Sequence, residues 1–189
     1  EALAVGLPGE AIQSTSEKIK LTKQLGAKSH AVLKFIGREA FNLTGARLRR
    51  SKEQIDRYIM NELSDENRIV KEEVLPYDLT SRIVSDIEIQ ANYEEKDSLM
   101  RTSVGPAILL DQKSVEFLVR LETKKRVSDL FLGPPRTSTT ETEIVNASLI
   151  GSNLKSCKLD SKWLKISRTF KKGLNGLVWT DRREIKTPF

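Results

Sequence analysis

Residues Val104 to Arg126 read VGPAILLDQKSVEFLVRLETKKR. Two apolar runs, Val104 to Leu110 and Val115 to Leu121, flank the polar tetrapeptide Asp111-Gln112-Lys113-Ser114, the composition of an antiparallel hairpin with a wet loop. The second arm alternates: Val115, Phe117, Val119 and Leu121 share one face, Glu116, Leu118 and Arg120 the other. This stretch is the predicted centre of a sheet, and it ends on the cations Lys124, Lys125 and Arg126.

Downstream and just upstream the two-residue period recurs. Ile83, Ser85, Ile87, Ile89, Ala91 and Tyr93 predict one strand face, with Arg82, Val84, Asp86, Glu88, Gln90 and Asn92 opposite. Short strands are predicted over Ile144 to Ile150, Leu154 to Leu159, Trp163 to Ser167 and Leu177 to Trp179, with turns at 151–153, 160–161 and 173–176. Arg136 to Glu141, rich in Ser and Thr, reads as an exposed mobile loop. Thr180 to Phe189 reads as a frayed basic tail.

Towards the N-terminus the apolar spacing lengthens. A first helix is predicted from Gly9 to Gly26 on Ile12, Ile19 and Leu25, and a second from the cap Ser29 to Gly45 on Val32, Phe35, Ile36, Ala40 and Leu43. Ser51 followed by Gln54 is a capping box for a third helix bearing Ile55, Tyr58, Ile59 and Leu63. Ile69 to Leu75 fits a short helix or a strand. The fold class predicted is therefore α+β: a helical region over 1–75, then a mainly antiparallel sheet or sandwich over 76–189, in one compact unit.

The chain has 189 residues, enough to bury a core without covalent staples, and its single Cys157 cannot form an internal disulfide. One histidine, His30, leaves no zinc-binding set. No signal peptide or membrane-spanning run is visible, so a soluble protein of a reducing compartment, cytoplasmic or nuclear, is expected. A first residue other than Met fits a piece of a longer protein. Residues 151–189 carry ten Lys/Arg against three Asp/Glu, whereas the whole chain is only +6, so the positive excess is concentrated at that end.

That asymmetry implies an acidic partner: RNA or a ribonucleoprotein, an acidic protein, or an anionic membrane surface. The residues that would bind it are Lys155, Lys158, Lys162, Trp163, Lys165, Arg168, Lys171, Lys172, Arg182 and Arg183, cations for phosphates and a ring for a base. With 6% aromatic residues, Trp163 and Trp179 serve equally well as core anchors. A secondary basic patch comprises Arg47, Arg49, Arg50 and Lys52, partly neutralised by Glu53 and Asp56. Basic residues at a helix start oppose its dipole and favour a bound anion.

Asp111 with Glu122-Thr123-Lys124 resembles the metal-dependent nuclease pattern. The resemblance implies two carboxylates holding Mg²⁺ or Mn²⁺ and a lysine positioning water. Four residues separate Pro106 from Asp111, where that pattern has the acid directly after proline. The hairpin reading also puts Asp111 and Glu122 at opposite ends of a strand, about 30 Å apart. Apart from that metal, no cofactor is expected. Cys157 stands between Lys155 and Lys158 but has no histidine near it in sequence.

The function expected is a non-catalytic structural or assembly protein, coat- or matrix-like in viral assembly, that self-assembles and docks through its basic C-terminal region. The alternatives are the nuclease and a protein-interaction module for an acidic chain.

Overall fold

The computed structural model describes residues 11–22, 26–64, 68–79, 86–103, 105–108, 134–145, 155–172 and 176–186. In chain order these form β1 (Ala11–Leu21), β2 (Ala27–Gly37), α1 (Arg38–Arg47), α2 (Lys52–Leu63), β3 (Ile69–Val74), β4 (Asp86–Glu95), β5 (Leu99–Thr102), β6 (Gly105–Ile108), β7 (Arg136–Val145), β8 (Cys157–Asp160), β9 (Leu164–Lys172) and β10 (Gly176–Ile185). Eight strands make one mixed sheet in the order β3-β4-β2-β1-β7-β10-β9-β8, and β5 pairs with β6 separately. The seam between β1 and β7 is parallel; the other described pairs are antiparallel.

The α+β expectation is overturned. The protein is mainly β, and its two short helices are an insertion between β2 and β3 rather than a leading helical region. The reason lies in residues 11 to 37. In β2, Ala27, Ser29, Ala31, Leu33, Phe35 and Gly37 are buried in strict alternation. Val32 and Ile36, on the opposite face and only half-buried, complete an apparent helical spacing with Phe35 that is really two strand faces superimposed. In β1, Ser14, Thr15 and Ser16 dilute any helical stripe, and Thr is at ease on a pleated surface.

Gly37 then turns the chain from strand to helix. Its φ of 63° lies in the left-handed region that a side chain makes costly. The predicted capping box is present: the Ser51 hydroxyl accepts from the Gln54 N–H at 3.4 Å, and Gln54 Oε1 accepts from the Ser51 N–H at 3.1 Å. Both helices lay their apolar residues on β2 and β4, where Ala40, Leu43, Ile55, Ile59 and Met60 meet Leu33, Phe35, Ile87 and Ile89. Burying each large side chain contributes roughly 1.5–3 kcal/mol. A second cluster, Ile19, Ala27, Ile144, Leu177 and Trp179, with Phe170 against it, holds the other half of the sheet to the first.

Three further expectations change. Arg136 to Glu141 is no loop; it opens β7, held along its length by β1 on one side and β10 on the other. Its Thr and Ser residues supply β-compatible side chains without hydrophobicity, which is why the stretch looks like a loop in sequence. Thr180 to Ile185 of the predicted tail belong to β10, and Ile185 is almost fully buried. The predicted sheet centre is displaced, since 105–108 pair with β5 outside the main sheet, whose centre is β1 and β7. The second arm of that hairpin, Val115 to Leu121, lies outside the described residues.

Candidate nucleic-acid interface

Among the described residues β8 is the last strand of the sheet and is hydrogen-bonded only to β9, and all four of its residues are exposed. The turn that follows is fixed by one serine. Ser161 N–H donates to the Leu164 carbonyl at 2.9 Å, while its hydroxyl accepts from Leu164 N–H at 3.0 Å. So held, the turn carries Trp163 outward, 40% exposed, with Lys162 Nζ 5.7 Å from the ring centroid. Trp179, 5% exposed, is the core anchor. The sequence treats the two tryptophans alike; the turn at Ser161 exposes Trp163, and the face alternation of β10 buries Trp179.

That same alternation divides the predicted cations. Lys165 and Lys171 of β9 share the open face with Lys158 of β8 and Arg182 of β10. Arg168, Lys172 and Arg183 point to the opposite face, which carries the core. Arg168 is already committed: its Nε and Nη2 each lie 2.5 Å from an Asp181 carboxylate oxygen, and both side chains are only 16% exposed. Burial, with Arg136 beside it, holds the Arg183 guanidinium below its ordinary value, and Glu62 opposes that effect.

Lys158 and Lys186 share Asp160, at 3.2 and 2.6 Å, and their hydrogen bonds hold that carboxyl below its usual range. Arg182 reaches Glu184 at 3.7 Å. Such exposed pairs are worth little and yield readily to a competing phosphate. Lys155, Lys162 and Lys171 are exposed. The structure therefore brings Lys155, Lys158, Lys162, Trp163, Lys165 and Lys171 to one edge and its open face, and sets Arg168, Lys172 and Arg183 apart from them.

The secondary patch also divides. Arg47 donates to the Leu79 carbonyl at 2.9 Å, and Lys52 pairs with Asp56 at 2.6 Å while standing 5.2 Å over the Tyr77 ring. Arg49 and Arg50 are exposed at the helix turn. Asp111, Glu122 and Lys124 lie outside the described residues. Among the described residues no group of three or more His, Cys, Asp and Glu side chains gathers as a metal site. His30, predicted in a helix, stands on β2 with Nδ1 2.8 Å from Asn92 Oδ1. Cys157 is an exposed free thiol. No helix among the described residues is long and apolar enough to cross a membrane.

Sequence reasoning missed the helix turn as a cavity. Phe41 and Leu48 are 51% and 86% exposed there, two apolar residues outside the helical periodicity, and that mismatch is the signal that could have flagged it. No family model, no curated protein and no solved structure matches this chain.

Proposed function

We propose that the protein is a non-catalytic assembly component, coat- or matrix-like, that docks on single-stranded RNA or a ribonucleoprotein along its β8–β9 edge. The observation that supports this is the exposed Trp163 beside Lys162, in the turn between β8 and β9, with Lys155, Lys158, Lys165 and Lys171 around it. Cations along a groove hold phosphates, and a half-exposed indole offers a face to any base. Lys165 and Lys171, six residues apart on one strand face, span about 20 Å, the scale of a short run of nucleotides.

The test is binding of a 12-nucleotide RNA over a salt series. Five lysines each meeting one phosphate give a log–log slope of about −3.5, and Lys158→Glu/Lys165→Glu/Lys171→Glu reduces its magnitude by about 2. Binding unchanged in that variant removes the reading. An acidic peptide or anionic vesicles competing as well as RNA would replace RNA as the partner.

The sheet ends favour a second reading, self-assembly. Among the described residues β3 and β8 are the outermost strands of the sheet, and each exposes an apolar side chain, Val70 on one and Leu159 on the other. Light scattering over a concentration series is expected to show growth that Val70→Lys or Leu159→Lys abolishes; a constant mass refutes it.

A further inference from the structure

The α1–α2 hairpin and β2 line a half-open cavity of about 480 Å³, within the size range of small-ligand sites. Its floor is core side chains of β2 and α2, and the rings of Phe41 and Tyr58 line it. Arg49 and Arg50 line its outer part, and Glu39 and Asn42, three residues apart and so on one side of α1, complete it. Unlike Arg47 and Lys52, neither Arg49 nor Arg50 has a guanidinium hydrogen bond or ion pair among the described residues. Both guanidinium groups are exposed, and each can bind a phosphate in forked fashion.

Charge and shape together select the ligand. The walls are aromatic and the cavity opens to solvent, which suits a flat ring and not a long acyl chain. An amide and a carboxylate beside the rings can hydrogen-bond a base edge or ribose hydroxyls. We propose that this cavity binds a nucleoside phosphate, with the base against Phe41 and Tyr58 and the phosphate on Arg49 and Arg50. The site is separate from the β8–β9 edge and stands whether or not that edge binds RNA.

The experiment is isothermal titration of the full chain with AMP, GMP and UMP, and with adenosine and inorganic phosphate as separate arms. Binding of at least one mononucleotide, tenfold or more tighter than either adenosine or phosphate, is expected. Arg49→Glu/Arg50→Glu is expected to weaken it more than tenfold, and Phe41→Ala at least fivefold. All three side chains are exposed, so melting temperatures should not move; Arg49→Gln/Arg50→Gln is the milder companion should the double glutamate variant not fold. A 5′-phosphorylated octanucleotide that displaces the mononucleotide from the Lys158→Glu/Lys165→Glu/Lys171→Glu protein identifies a strand end as the source; failure to displace it identifies free nucleotide. Phosphate alone matching the nucleotides, or affinity unchanged in the glutamine and glutamate variants, overturns the proposal.

Discussion

Replacing Arg168 by Met is expected to destabilise the fold while leaving RNA affinity intact. The guanidinium is forked over Asp181, each contact 2.5 Å, on the core side of β9 and β10 with 16% of either side chain exposed. Removing the cation strands a carboxylate where water reaches it poorly. Breaking a fully buried pair costs about 3–5 kcal/mol, and the residual exposure brings this to about 2–4 kcal/mol. For a chain of this size each kcal/mol moves the melting temperature by about 2–4 °C, so a fall on the order of 10 °C is expected. Arg168→Met/Asp181→Leu removes both charges and should recover most of it. Circular dichroism melts give the first quantity, and RNA titration well below the lower melting temperature gives the second. A melting temperature within about 2 °C of the parent, joined to a tenfold loss of affinity, would refute the assignment of Arg168 to the scaffold.

Fluorescence separates the two indoles: in Trp163→Phe the remaining Trp179 should emit to the blue and resist acrylamide, and RNA should quench only the parent protein. Burial holds Tyr58, Tyr77 and Tyr93 above the ordinary phenol value, reinforced by Asp56 at Tyr77 and by Glu17 at Tyr93. Above about pH 10 the unfolded chain loses those protons and the folded one keeps them, so stability falls as pH rises. Urea midpoints between pH 9 and 11 should show a decline that is shallower in Tyr77→Phe, and an equal decline in both proteins would count against it. Gly176→Ala should disrupt the β7–β10 ladder, because a Cβ there would sit 1.8 Å from the Ile144 carbonyl oxygen. Its expected cost is about 3 kcal/mol or more, read from denaturant midpoints, and a neutral effect would contradict the register.

The sequence was readable where one physical requirement acted alone. The Ile87-Ile89-Ala91-Tyr93 face and the Ser51/Gln54 cap each have a single explanation, and both are found as read. Residues 29 to 37, read as the first half of a helix whose second half is α1, belong to β2; both faces of that strand carry apolar groups, and the change from strand to helix at Gly37 falls within a continuous apolar pattern. β7 as far as Glu143 is hidden for the opposite reason: its place is set by neighbours distant in sequence, and its first seven residues are all polar in a way that serves a loop equally well. At the basic end composition located the charge, but only strand parity could sort Lys165 from Arg168.

The parallel seam has a consequence for biosynthesis. β1 to β4 and both helices are complete by Glu95, whereas β7, the strand that covers the other side of β1, does not begin until Arg136. A nascent chain emerging from the ribosome at about 5–20 residues per second therefore holds a half-sheet with one raw flank for several seconds. During that interval β1 can recruit any extended strand within reach, including the same strand of a neighbouring polypeptide on one messenger. Expression yield is thus expected to depend on translation speed through the codons for residues 95 to 145.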